Sequence, residues 1–211
     1  MKKLFALLFF FSSFLILNAQ DKKLNLIVGT YTKSCDSKGI YVYEFDSKTA
    51  DFKFKNSSEN IINPSYLSVS NDNKFVYSVS ENDNKSSISA FGYNSKSGKL
   101  DFINHQNPNG LNPCYVINDD KNVITANYSS GNISVLGKNI DGSIGEAKQL
   151  VQHTGKSINT NRQEAAHAHM VYFSPDKKYV LANDLGTDKV YVYQYNPNSQ
   201  TEVLKLKSSV N

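Results

Sequence analysis

Apolar and polar side chains alternate with a period of two along most of this chain, in short runs broken by Asn, Asp, Gly and Ser. Ser87-Ile88-Ser89-Ala90-Phe91-Gly92-Tyr93 and Lys189-Val190-Tyr191-Val192-Tyr193 are clear examples. On a pleated strand such alternation sends successive side chains to opposite faces. The runs also recur in a fixed order. A short apolar strand at 65–69 is followed by a polar turn, a strand at 74–79, a polar loop, the strand at 87–93, a Ser-Gly-Lys turn and a strand at 100–103. The same order returns at 115–117, 122–126 and 132–135, and again at 170–173, 178–182 and 189–193. Ile40, Ile88, Ile133 and Val190 hold equivalent third-strand places, setting a repeat of roughly 50 residues. Period-two strands repeated at this length predict an all-β fold, a β-propeller of four-stranded antiparallel blades. No segment beyond the N-terminus carries a helical period.

The first repeat lacks its opening strand. Residues 24–31 read as a second strand, 39–45 as a third and 51–55 as a fourth. Blade boundaries fall near residues 63, 112 and 167, so 20–211 reads as a partial propeller of about four blades. The last repeat step is the longest, and its surplus lies between the strand ending near Val151 and the one starting near Ala168. An insertion between blades lands on one rim of the disc, where loops converge on the central channel. The chain stops at Asn211, just after the fourth repeat, with no strand left to complete the first blade. The expectation is a truncated chain whose end blades expose apolar faces and free edges, open to self-association.

The N-terminus changes the picture of compartment. Lys2 and Lys3 precede an almost wholly apolar run at 4–17, and Asn18-Ala19 offers a cleavage point before Gln20. Residues 1–19 therefore read as a signal peptide, too short for a comfortable membrane span and followed by no second apolar stretch. The expected product is periplasmic or secreted, with no stable membrane anchor after cleavage. Two of the +4 formal charges belong to Lys2 and Lys3, and the remaining lysines are interleaved with aspartates. Phosphate-backbone binding needs clustered positive charge, so nucleic acid is excluded as a partner. Cys35 and Cys114 could bridge in an oxidising compartment, but they are read as unpaired.

Candidate chemistry concentrates in the insertion. Arg162 is the one arginine among 23 basic residues, and Glu164, His167 and His169 lie close to it in sequence. A guanidinium grips carboxylate or phosphate oxygens through two parallel hydrogen bonds. Imidazoles and a carboxylate beside it supply acid–base groups. His167 and His169 share a face if they lie on a strand. The competing readings are structural histidines bonded to backbone, and an Arg162–Glu164 ion pair that pins the loop. Two histidines and a glutamate are competent metal ligands, but no second cluster supplies the rest, so no metal or other cofactor is expected. Tyr31, Asn127 and Asp184 follow second strands, where polar side chains reach the rim, and are candidate substrate-binding positions. Asp184, with Gly186 and Thr187, also fits a structural turn. Asn127 fits one too, and Tyr31 could simply pack.

Several linked motifs carry a family likeness. They are Gly29-Thr30-Tyr31-Thr32 with Gly39-Ile40-Tyr41-Val42-Tyr43, Asn112-Pro113-Cys114-Tyr115, and Ala126-Asn127-Tyr128-Ser129-Ser130-Gly131. Arg162-Gln163-Glu164 with His167-Ala168-His169, Ser174-Pro175-Asp176 and Asp184-Leu185-Gly186-Thr187-Asp188 complete the series. In this order they resemble the lactonase-type seven-bladed propellers, the propeller 6-phosphogluconolactonases and the fungal carboxymuconate lactonising enzymes. Seven blades need roughly 330 residues or more. The resemblance implies an exported hydrolase acting on a small sugar-derived lactone. His167 or Glu164 would then activate water, Arg162 would hold an anionic group or the oxyanion, and His169 would orient its neighbour or bind substrate. The alternatives are a non-enzymatic propeller that binds through its rim, and a muconate-type lactone cyclase.

Overall fold

Alternation becomes four antiparallel sheets in the computed structural model, which describes residues 23–58 and 60–211. The signal peptide expected at 1–19 lies outside the described residues. Blade 1 has three strands, β1 (Lys23–Gly29), β2 (Ile40–Asp46) and β3 (Phe52–Ser58). Blade 2 is built from β4 (Leu67–Val69), β5 (Phe75–Ser80), β6 (Ser87–Asn94) and β7 (Lys99–Gln106). Blade 3 comprises β8 (Pro113–Asn118), β9 (Asn122–Asn127), β10 (Asn132–Lys138) and β11 (Ile144–Gln152). Blade 4 comprises β12 (Ala168–Phe173), β13 (Tyr179–Asp184), β14 (Lys189–Tyr195) and β15 (Leu204–Val210). Every sheet follows chain order, as hairpin-linked strands do, so the four-stranded antiparallel blades and the short first blade are as expected.

The core lies between blades. Ile40, Ile61, Val76 and Phe91 join blades 1 and 2, while Tyr77, Val79, Ile88, Val116, Val123 and Leu136 join blades 2 and 3. Ile124, Ile133, Val171, Val180 and Tyr193 fill the space between blades 3 and 4. Each inner blade therefore buries both faces, which is why its strands carry apolar residues on both sides of the pleat. The end faces differ. Leu24, Leu26, Phe52 and Phe54 stay exposed on blade 1, as do Tyr172 and Leu181 on blade 4.

Two repeated irregularities shape the disc. The pairing of third with fourth strand shifts register in every blade, at Val42/Tyr43, Ala90/Phe91, Val135/Leu136 and Val192/Tyr193. Such bulges add twist to the outer edge. A second bulge opens the innermost strands, between Pro113 and Tyr115 in β8 and between Ala168 and Met170 in β12. That second set positions the candidate site.

A candidate active site at the channel rim

At a bulge two residues face one partner residue, and the extra side chain is turned out of the ladder. Cys114 and His169 are those extra residues. Ser65 occupies the same place in blade 2, where Val79 N–H bonds Tyr66 O just beyond it. Three blades thus offer one side chain each, Ser65, Cys114 and His169, to a single cleft of about 430 Å³. Tyr31, Glu81 and Tyr128 supply its opposite wall, Asn112 and Ser129 its edge, and Arg162 reaches it from the insertion. All four blades contribute to the lining.

Of the residues singled out in the sequence, Arg162, His169 and Tyr31 meet in this cleft. The Arg162 guanidinium donates from Nη2 to the Tyr128 hydroxyl oxygen at 3.2 Å. That contact fills an acceptor site of Tyr128 and leaves its O–H free to donate into the cleft. The Tyr128 ring stacks on His167 at 4.5 Å and meets the edge of His169 at 5.5 Å. Across the cleft the Tyr31 hydroxyl donates to Glu81 Oε1 at 3.0 Å, and the Ser65 hydroxyl donates to the same oxygen. Burial, and then the Glu81 carboxylate, push the Tyr31 phenol upward, so it remains a proton donor at neutral pH. Burial also raises the Cys114 thiol to about 12, aided by the Glu81 charge. Cys114 is a packed wall, not a nucleophile.

His167 and Glu164 stand just behind the lining. His167 Nδ1 faces Tyr128 O at 3.1 Å and Nε2 faces Glu164 Oε1 at 3.2 Å. Glu164 is held below the usual glutamate range by its own backbone N–H, then by His167 and Arg162. The pair therefore supports Tyr128 and the loop from below.

Asn127 and Asp184 are committed to scaffold. Asn127 is fully buried and donates to Asn132 Oδ1 at 2.7 Å and to Ser134 Oγ at 2.8 Å. Asp184 Oδ1 accepts the N–H groups of His167 and Thr187, both at 2.9 Å. Its Oδ2 accepts from His153 Nδ1 at 2.6 Å, and the Tyr193 hydroxyl donates to His153 Nε2 at 2.7 Å. Burial pushes the Asp184 carboxyl upward, but His153 and the two backbone N–H groups outweigh it and hold the acid below its usual range. His153 and His167 begin and end the insertion, so one carboxylate ties down both of its ends. The loop then docks where side chains are missing. A Cβ on Gly186 would sit 1.7 Å from Ala165 O, and one on Gly131 (φ +60°) would sit 2.3 Å from Ala166 O. Such approach requires glycine.

Strand-by-strand alignment explains these placements. Thr30, Ser80, Asn127 and Asp184 are equivalent, and each turns its polar group into its own blade or the next. Tyr31, Glu81, Tyr128 and Leu185 come one residue later and face the rim. Since strand faces alternate, one residue exchanges cleft for scaffold. Glu81 and Tyr128, missed in the sequence, are found by stacking the repeats on Tyr31. His153 has no such marker, because only the fold brings it against Asp184.

Residues 25–211 match the family model described as lactonase, 7-bladed β-propeller. The chain belongs to this lactonase family. It is 38% identical to the 6-phosphogluconolactonase of Bacillus subtilis (strain 168) over 83% of its own length and 50% of that relative. A candidate 6-phosphogluconolactonase from Bacteroides fragilis superposes with a TM-score of 0.83 at 40% identity, covering 87% of this chain and 52% of that one. The periplasmic gluconolactonase of Pseudomonas aeruginosa superposes at 0.80 with 32% identity, covering 87% and 53%. The chain spans about half the length of the curated relatives it matches. In this lactonase-family chain Cys35 and Cys114 are unbridged. No helix among its described residues is long and apolar enough to cross a membrane.

Proposed function

We propose that the protein is a lactone hydrolase acting on a sugar-derived lactone of the 6-phosphogluconolactone or gluconolactone type, with its chemistry in the Arg162 cleft. The observation that carries this reading is the convergence of Arg162, His169, Tyr31 and Tyr128 from three blades and an insertion in one cleft. The names of the relatives support the substrate class. His169 is exposed, projects from a bulge and touches the Tyr128 ring, so an imidazole nitrogen can face a bound water. It takes a proton from the water as the oxygen attacks the lactone carbonyl carbon. The ring C–O bond then breaks, and the proton passes to the departing alkoxide, giving the open hydroxy acid. Tyr128 and Tyr31 are the O–H donors available to the oxyanion, while Arg162 holds the substrate's anionic group. His167 and Glu164 act through Tyr128 by fixing its ring. The same reading takes residues 1–19 as an export signal and the working compartment as the periplasm or the exterior, in line with the periplasmic neighbour.

The test is lactone hydrolysis by the protein expressed from its own gene, with 6-phosphogluconolactone and δ-gluconolactone as substrates. His169→Ala and Arg162→Ala should each lower kcat/KM by roughly 10²-fold or more. Both side chains are exposed, so melting temperatures should hold. No turnover by the unmodified protein, or undiminished turnover by both variants, overturns the proposal.

A further inference from the structure

We propose a second ligand site, a carbohydrate-binding groove between blades 1 and 2 that accepts a neutral saccharide unit. The groove encloses about 730 Å³, within the range of small-molecule sites. Its floor is the face of β6 and β7 turned towards blade 1. Ser89 pairs with His105, and Phe91 with Phe102, so Ser87, Ser89, Phe91, Phe102 and His105 share that face.

The other blades close this position. In blade 3 the equivalent of Ser89 is Ser134, whose hydroxyl donates to Pro108 O and accepts from Asn127. In blade 4 it is Tyr191, which stacks on His153 at 4.0 Å and bonds Thr187 at 3.2 Å. In each case the segment arriving from the previous blade caps the polar position. In blade 2 neither Ser87 nor Ser89 has a side-chain hydrogen-bond partner among the described residues, although Ser89 is only 5% exposed. Both hydroxyls are therefore left to solvent or to a polar occupant of the groove. The walls add more uncommitted groups, since the amides of Asn82, Asn84 and Gln106 likewise have no side-chain partner among the described residues.

The chemistry of this lining selects the ligand class. It offers amides and hydroxyls, which donate and accept in pairs as vicinal sugar hydroxyls do. Phe102, 58% exposed, and His105, with ring centroids 6.0 Å apart, give an apolar surface for the C–H face of a pyranose. Lys85 is the one charged side chain among the described lining residues, and the other polar groups are mostly uncharged amides and hydroxyls, which complement the several hydroxyls of a neutral saccharide. The groove opens on the same rim as the Arg162 cleft. Ser86 lines the groove and accepts N–H bonds from Asn82 and from Asn112, a residue of the cleft, both at 3.1 Å. The proposal does not depend on the lactonase reading.

The test is calorimetric titration of the intact protein with the neutral trisaccharides maltotriose, cellotriose and chitotriose, using gluconate as an anionic control. At least one should bind with a Kd of about 1 mM or better. The double variant Asn84→Ala/Gln106→Ala removes two amides without partners, so it should keep the melting temperature and weaken binding at least ~10-fold. Phe102→Ala should weaken it similarly, and Arg162→Ala should leave it unchanged. Retention of the protein on the matching insoluble polymer would identify the interior of a glycan chain as the natural source, and its absence a free oligosaccharide; either supports the site. Lack of binding by all three sugars at about 20 mM, equal affinity in the double variant, or loss of binding in Arg162→Ala would overturn the proposal.

Discussion

Replacing Asp184 by Ala should be among the costliest single changes in this chain. The carboxylate is 3% exposed and accepts three hydrogen bonds, from His153 Nδ1, His167 N and Thr187 N. Alanine leaves those three buried donors without an acceptor, at about 1–3 kcal/mol each, less whatever a water admitted to the small void restores. The expected loss is about 3–5 kcal/mol, roughly 10 °C in melting temperature for a domain of this size. Asn keeps the two backbone bonds through its carbonyl oxygen and disturbs only the His153 contact, so Asp184→Asn should lose about 1–2 kcal/mol. The pH dependence has a definite sign. The folded-state pKa of Asp184 is depressed below the ordinary aspartate value, so its ionised form stabilises the fold above that ordinary value. The gap between wild type and Asp184→Ala should be constant above about pH 5 and should close as pH falls through the folded pKa. A local readout separates loop release from general weakening. Both ends of the 153–167 insertion hang on this carboxylate, so trypsin should cut after Lys156 and Arg162 much faster in the variant at temperatures well below its melt. A melting temperature within about 2 °C of wild type, or unchanged cleavage at both sites, would refute the reasoning.

Two further outcomes follow from separate features. Gly186→Ala forces a methyl group to within 1.7 Å of Ala165 O, so the loop must shift; stability should fall by about 1–3 kcal/mol and lactone turnover should drop with it, measured by thermal melts and kinetics on one preparation. Export with cleavage after Ala19 predicts that N-terminal sequencing of protein from the envelope or medium begins at Gln20, and recovery of an intact Met1 chain from the cytoplasm would contradict it.

Most of the fold was legible because the signal for it is local and repeated. Alternation marks strands, Asn-Asp-Lys clusters mark turns, and the shared place of Ile40, Ile88, Ile133 and Val190 marks the blade. The insertion was legible as a surplus in one repeat. What each polar residue does was harder to read, because it turns on a single step of register. Tyr31 lines the cleft, whereas Asn127 and Asp184, read as its counterparts, each lie one residue earlier and point into their blades. Bulges compound the difficulty. His167 and His169 would share a face on a regular strand, but the extra residue at Ala168/Met170 separates them. His169 then lines the cleft, while His167 lies under Tyr128. Periodicity alone cannot show a bulge, and contacts such as His153 with Asp184 exist only after the blades stack.

The site's asymmetry arises from substitution at equivalent positions. Each blade presents one side chain after its second strand and, in blades 2–4, one from its innermost bulge, so the backbone builds the same niche several times. Blade 2 fills its pair with Ser65 and Glu81, blade 3 with Cys114 and Tyr128, and blade 4 with His169 and Leu185. An acid, a phenol and an imidazole thus face one another across a channel whose geometry is fixed by the sheets beneath. The rigid ladder holds these positions in place, and its repetition lets each position change without disturbing the others. Arg162 is the exception, for it belongs to no repeat. Its loop must be held by other means, and the structure uses two glycines that admit the chain and one buried carboxylate that ties down both ends. A residue with no repeat to position it needs that dedicated support, which is why damage at Asp184 should reach the guanidinium although the two side chains do not touch.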